Sequence, residues 1–141
     1  MSVDASTRAA IEELNARFAW SLDLNRFDDL YEILTDDASY TSGSTERKGA
    51  ESIVAAFSAR SGIRTTRHGW TSLTLTEVDN ATISGRSAWF CYAHNSHPPV
   101  TSTAPYMVAD FLDTYTRTEG GWRIAARTIV PVFRDASLAP A

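Results

Sequence analysis

The hydrophobic periodicity of this chain changes once, near residue 65, and that change constrains the fold more than any other feature. Before it, apolar residues recur every three or four positions, which is the spacing of one face of a helix. The pattern predicts a long helix over residues 5–24, capped by Asp4 or Ser6, and a second helix that begins at Asn25. A third helix is expected around residues 50–57.

From about residue 65 onward, apolar and polar residues alternate, and Thr, Val, Ile and aromatic residues are frequent. This texture is typical of half-buried strands. Helices followed by a meandering antiparallel sheet indicate an α+β fold with the helices packed on one face of the sheet. Residues 1–141 are expected to form one domain with flexible ends at 1–4 and 136–141. The strands are predicted at 39–41, 65–77, 81–95, 105–118 and 121–133.

Charge and composition exclude several functional classes. The formal net charge is -4 and Lys48 is the one lysine, so the clustered basic residues of a nucleic-acid-binding surface are missing. The single cysteine forms no internal disulfide, and the first residues lack the pattern of a signal peptide. No apolar run approaches the ~20 residues of a transmembrane helix. We therefore expect a cytoplasmic protein without a nucleic-acid or membrane partner.

Four segments, AWSLDLNRFDDLYEILTDDASY, KGAESIVAAF, TRHGW and GGWRIAARTIVPVFRD, resemble the SnoaL-like branch of the nuclear transport factor 2-like superfamily. The resemblance extends over nearly the whole chain. It implies a cone-shaped fold in which three helices pack on a strongly curved sheet around a mostly apolar pocket. The superfamily includes isomerases, dehydratases, dehydrochlorinases, polyketide cyclases and binding modules, so it does not define one reaction.

The catalytic residues follow from the same resemblance. Scytalone dehydratases and hexachlorocyclohexane dehydrochlorinases are similar to this chain in carrying an Asp late in the first helix and a His early in the first long strand. Asp23 and His68 occupy these places, and Tyr40 matches the short-strand tyrosine of the dehydratases. Leu22 and Ser87 stand where those dehydratases carry a second tyrosine and a second histidine. The resemblance thus implies a general-base pair and leaves elimination, isomerisation and cyclisation open.

His68 and Asp23 are chemically suited to act as a general-base pair, but each also has an ordinary structural explanation. A neutral imidazole near its usual pKa of about 6.5 accepts a proton, and a carboxylate on its other ring nitrogen stabilises the imidazolium formed. The alternative for His68 is an ordinary polar strand residue whose ring is hydrogen-bonded to a neighbouring backbone group or to solvent. Asp23 lies about 140° around the helix from Phe18, at the border of the apolar stripe, where solvent exposure is the alternative.

Aromatic residues and one arginine supply candidates for the pocket. Aromatic side chains on helices and strands are also common core residues. Arg127 either binds a substrate carboxylate or enolate, or pairs with a carboxylate such as Asp110 or Asp113. The expected pocket residues are Trp20, Phe57, Trp70, Ser87, Trp89, Tyr106, Phe111 and Arg127.

No cofactor or metal site is expected. His94 and His97 lie in a loop without a third ligand at a recognisable spacing, and Cys91 has no paired base around it. Two functions therefore remain. One is a cofactor-independent lyase, isomerase or cyclase that acts on a hydrophobic cyclic ligand. The other is a non-catalytic module that binds a ligand or packs as a subunit, and under either a homodimer or higher homo-oligomer is expected.

Overall fold

A computed structural model describes residues 2–60 and 62–140. The first helix, α1, spans Ala5–Asp23, as predicted to within one residue. The Asp4 side chain caps it by accepting a hydrogen bond from the Thr7 amide at 2.8 Å, so Asp4 rather than Ser6 is the N-cap. The helix ends where Asn25 adopts a left-handed backbone with φ 56°, a conformation that asparagine tolerates.

The second helical segment differs from the prediction. It is a 3-10 helix over Phe27–Glu32 that begins after Arg26, and Asn25 does not cap it. Arg26 occupies the N-cap position and makes no side-chain cap hydrogen bond, and Asn25, with its left-handed backbone, lies one residue earlier. The next helix, α2, spans Ala50–Ser58 as predicted and starts after Gly49, whose φ of 89° favours glycine.

Six strands form one mixed, curled and open sheet in the order β2-β1-β6-β5-β4-β3. The α+β fold is therefore confirmed, with one correction: β1 pairs with β6 in parallel, whereas the other neighbours are antiparallel. The long strands agree with the predicted ones. The bounds are β1 Leu34–Ser42, β2 Thr45–Lys48, β3 Thr65–Asp79, β4 Thr82–His94, β5 Met107–Thr118 and β6 Gly121–Arg134.

The edge hairpin formed by β1 and β2 is the part of the sheet that sequence reasoning underestimated. The predicted strand at 39–41 lies in the second half of a nine-residue strand, and β2 is not among the predicted strands. Asp36 and Asp37 interrupt the apolar pattern at the start of β1, and all four residues of β2 are exposed. Neither strand therefore shows an alternating apolar pattern. Gly43, with φ 61°, makes the tight turn between the two strands.

The core lies between the helices and the inner face of the sheet. Its buried apolar side chains come from α1, α2, the 3-10 helix and strands β1 and β3 to β6, and they include Phe18, Leu30, Ile53 and Ile124. No helix of the described residues is long and apolar enough to span a membrane. Met1 and Ala141 lie outside the described residues, and the flexibility expected at the two ends stays a prediction.

A buried polar network crosses this core. The Arg127 guanidinium donates to both carboxylate oxygens of Asp113, at 2.8 and 3.0 Å, and its side chain is fully buried. The Tyr115 hydroxyl donates to Asp113 at 2.7 Å, and Asn15 on α1 bonds both Tyr115 and Arg127. Burial opposes the charge of Arg127, but Asp113 outweighs it and raises the pKa of the guanidinium. The network therefore links α1 to β5 and β6 by hydrogen bonds around Arg127, whose charge Asp113 neutralises.

Asp113→Asn should destabilise the fold far more than Asp110→Asn on the same strand. Losing Asp113 leaves the Arg127 charge buried without its partner, which costs about 3–5 kcal/mol. Asp110 pairs at the surface with Arg86, whose side chain is largely exposed, and such pairs contribute about 0–1 kcal/mol. Urea unfolding of both variants measures the free energy of unfolding. Equal losses would contradict this account of the network.

Candidate active site

A mostly apolar cavity opens between the end of α1, the segment after α2 and the inner face of the sheet. Its volume is about 680 Å³ when the solvent space at its open mouth is included. The ring of Trp89 stacks on that of Phe111 with centroids 4.4 Å apart and forms one wall. The lining residues are Leu22, Tyr40, Ser42, Phe57, Arg60, Arg64, Thr66, His68, Trp89, Cys91, Tyr106, Met107, Ala109, Phe111, Ile129 and Pro140.

Asp23 and His68 meet at this cavity. Nδ1 of His68 lies 2.6 Å from Oδ1 of Asp23, and His68 itself lines the cavity. The Asp23 carboxylate also accepts hydrogen bonds from the Thr66 hydroxyl and from the backbone amide of His68, both at 2.8 Å. Only 2% of the Asp23 side chain and 13% of the His68 side chain are exposed. Because a carboxylate accepts and does not donate, Nδ1 carries the proton of this hydrogen bond.

The environment of His68 favours the imidazolium. Burial, the largest single influence, disfavours the charge, but hydrogen bonds to Asp23 and Cys91 and the charges of these groups outweigh it. The balance raises the pKa of His68 to about 9. Sequence reasoning assumed an imidazole that is neutral near pH 7, whereas at this pKa the resting ring is mostly protonated.

Tyr40 also lies in the cavity wall. Its ring stacks on Phe18 at 6.4 Å and meets Phe57 edge-on at 5.5 Å. Burial raises the pKa of Tyr40 to about 12, although Arg127 opposes the shift. Tyr40 therefore keeps its proton at neutral pH and is chemically able to donate a hydrogen bond to an oxygen in the cavity.

Four of the eight expected pocket residues line the cavity, namely Phe57, Trp89, Tyr106 and Phe111. The other four lie elsewhere among the described residues. Trp20 is 53% exposed, with Arg67 packed over its ring. It lies about 200° around α1 from Phe18, so it points away from the core. Trp70 packs instead beside Trp89 at the edge of the core.

Ser87 and Arg127 do not line the cavity but contact the aromatic residues that form its wall. The Ser87 hydroxyl accepts a hydrogen bond from Nε1 of Trp89 at 2.8 Å and thereby fixes the indole. Arg127 lies under the rings of Trp89 and Phe111, with its guanidinium carbon 5.1 and 4.9 Å from their centroids. Its partner is Asp113, the alternative that sequence reasoning left open.

Sequence reasoning missed several polar residues of the cavity, above all Arg60 and Arg64. A period-two signal was present, because Arg64, Thr66 and His68 alternate into one face at the start of β3 and all three line the cavity. Cys91 pairs directly with His68 across β3 and β4, but two register shifts between the turn and this pair prevent the pairing from being counted off the sequence. Among the described residues, no group of three His, Cys, Asp or Glu side chains is placed to hold a metal ion.

Comparisons with known proteins bear on the fold of the chain. A family model described as "SnoaL-like domain" matches residues 3–128. Kfla4162 from Kribbella flavida is 22% identical, with a TM-score of 0.78 over 95% of this chain and 97% of that one. A hexachlorocyclohexane dehydrochlorinase (LinA) Type2 is 20% identical, with a TM-score of 0.75 over 96% and 89%.

A third solved structure, ActVI-ORFA from Streptomyces coelicolor, is 15% identical, with a TM-score of 0.78 over 91% of this chain and 98% of that one. At such identities these similarities show the fold alone. Among curated proteins, no sequence matches this chain significantly.

The imidazole of His68 should titrate with a pKa of about 9. Removing the Asp23 charge by Asp23→Asn should lower that pKa by more than about one unit, because burial then acts without its main compensation. NMR titration of the ring carbons measures both values. A background with His94→Gln and His97→Gln leaves His68 as the one histidine.

Asp29→Asn is the matched control, because it removes an exposed carboxylate a short distance along the chain and should leave the titration unchanged. A pKa of about 6.5 in the background protein, or one that Asp23→Asn does not move, would show that the two side chains are not coupled.

Proposed function

The chain belongs to the SnoaL-like domain family, as its sequence motifs predicted, and on that premise we propose that it is a small proton-transfer enzyme. The proposed reaction is a lyase, isomerase or cyclase reaction on a hydrophobic cyclic substrate, with His68 and Asp23 as the general-base pair. Enzymes occur among proteins of this fold, since one similar structure is named a dehydrochlorinase.

One observation carries the proposal: an imidazole in an apolar cavity lies 2.6 Å from a buried carboxylate. A polar pair in such a place carries a desolvation cost that a merely structural role does not require. The carboxylate orients the ring through Nδ1 and leaves Nε2 as the nitrogen for the substrate. The apolar walls suit a ring-bearing ligand.

Each residue then has a defined role. Neutral His68 takes a proton from a carbon next to a carbonyl group, and the C–H electron pair moves into an enolate whose charge lies on the carbonyl oxygen. Tyr40 donates a hydrogen bond to that oxygen. The imidazolium, stabilised by Asp23, next returns its proton to a leaving hydroxyl, as the enolate expels it, or to another carbon of the substrate. The first outcome is an elimination and the second an isomerisation.

The raised pKa of His68 sets the conditions of this chemistry. At pH 7 about one molecule in a hundred has the neutral ring that acts as a base, because the pKa of His68 is about 9. In exchange, the imidazolium formed after proton abstraction is strongly stabilised. A base of high pKa also suits a weakly acidic C–H bond, since its driving force for proton transfer is larger.

A non-catalytic binding module is the alternative. The apolar lining of the cavity supports it equally, because a binding module and an enzyme both need a concave apolar site. The buried His68–Asp23 pair favours the enzyme, since binding an apolar ligand needs no base. A homo-oligomer and a small hydrophobic ligand stay predictions under both functions.

His68→Gln and Asp23→Asn should abolish or strongly reduce proton transfer at unchanged folding. The protein is incubated in D₂O with cyclic ketones and cyclic β-hydroxy ketones, and mass spectrometry follows deuterium uptake and loss of water. We expect His68→Gln to lose at least about a hundredfold in rate, the usual contribution of a general base. The matched control is His94→Gln, which removes a histidine outside the cavity lining.

The kcat/KM of the wild-type protein should rise with pH and level off above about pH 9, because the base works only when deprotonated. Full activity of His68→Gln would rule out its role as the base. Binding of ring compounds with no deuterium uptake in any of them would identify the chain as a binding module.

A further inference from the structure

Two arginines line the cavity, and no Asp or Glu accompanies them among its described lining residues. Arg60 and Arg64 flank the turn between α2 and β3, and neither makes an ion pair with a carboxylate within the described part of the chain. Asp23, the nearest acid to the cavity wall, is occupied by His68 and Thr66. The cavity therefore holds positive charge that the protein leaves uncompensated.

The Arg60 guanidinium is held beside the apolar wall. Its carbon lies 5.1 Å from the ring centroid of Phe27 and 5.6 Å from that of Phe57, and Nη2 donates to the Leu22 carbonyl at 3.2 Å. Nε is buried and has no hydrogen-bond partner. Burial lowers the pKa of Arg60, and the like charge of Arg64 lowers it further. Both arginines line the same cavity.

Arg64 is the more buried of the two, with 5% of its surface exposed. Nη1 donates to Oδ1 of Asn95 at 2.8 Å, and the guanidinium carbon lies 5.3 Å from the ring centroid of Tyr106. Its Nε, like that of Arg60, is buried without a partner. Burial lowers the pKa of Arg64. Neutral acceptors and aromatic rings thus position both side chains and leave a donor of each unsatisfied.

From these observations we propose that Arg60 and Arg64 bind a carboxylate of the ligand, so that the protein selects an apolar cyclic carboxylic acid. A carboxylate accepts paired hydrogen bonds from guanidinium groups and relieves the repulsion between two like charges. The inference deepens the proposed function and rests on it for the identity of the site, because the same cavity holds His68. The carboxylate anchors the ligand while its ring lies along the aromatic wall.

Arg127 is a buried arginine with a structural role and can be compared with Arg60 and Arg64. Asp113 neutralises it with two hydrogen bonds, and the guanidinium does not line the cavity. Nη1 of Arg127 is also buried without a partner, so the difference from Arg60 and Arg64 lies in the carboxylate. Arg60 and Arg64 receive no such carboxylate, although burying an uncompensated charge is costly. This contrast indicates that the missing carboxylate comes with the ligand.

The test compares 2-naphthoate with 2-naphthamide, which share a ring system and differ in charge, by isothermal titration calorimetry at pH 7. The wild-type protein should bind the carboxylate at least about tenfold more tightly than the amide, as expected for hydrogen bonds to a charged group. Arg60→Gln and Arg64→Gln should each remove most of this preference and leave amide binding nearly unchanged. Arg60→Lys and Arg64→Lys should each retain part of it.

Arg26→Gln, which removes an exposed arginine outside the cavity, is the matched control and should keep the full preference. The double variant His68→Gln/Asp23→Asn, which removes both charges of the pair, should also keep it, so loss of turnover in that variant and loss of carboxylate selectivity in the arginine variants are separate outcomes. The proposal is overturned if the wild-type protein binds neither probe at millimolar concentration, binds both equally, or loses its preference in the double variant instead.

Discussion

The arrangement of the site depends on the hydrogen bonds that the Asp23 carboxylate accepts. A carboxylate in the last position of a helix is electrostatically unfavourable, because the helix C-terminus already carries partial negative charge. Three donors from β3 offset this cost, namely the His68 ring, the His68 amide and the Thr66 hydroxyl. These bonds join the end of α1 to the first long strand and fix the orientation of the imidazole at the same time. The hydrogen bonds that hold the end of the helix against the strand are therefore the same ones that orient the imidazole.

The predictions that succeeded rest on strong local patterns or on motifs. The period of 3.6 places Phe18 and Leu22 in the core, and the alternation after residue 65 gives the long strands. The helical angle alone left Asp23 at the border of the buried stripe, and only its partner on β3 explains why it is buried. Trp20 was misplaced because its aromatic character was given more weight than its angle of about 200° from Phe18.

The features that the sequence did not reveal depend on long-range packing. The parallel pairing of β1 with β6 joins residues more than eighty positions apart, such as Tyr40 and Arg127, and no local pattern predicts it. Arg60 follows α2 where apolar periodicity stops, so its direction follows from the path of the chain, whereas Arg64 shares the alternation of Thr66 and His68. The partner of Arg127 could be narrowed to two carboxylates from the sequence, but only the sheet register selects Asp113.

The few polar groups in the cavity restrict the chemistry further than the fold does. Leu22 presents an apolar side chain to the cavity, and Ser87 is engaged by Trp89, so neither supplies a second proton carrier. Among the described lining residues, His68 is the one histidine and no carboxylic acid accompanies it. In the proposed reaction the same imidazole takes the proton and gives it back. This requirement fits eliminations and isomerisations, in which both sites of proton transfer lie near one nitrogen, better than a hydrolysis that uses a separate acid and base.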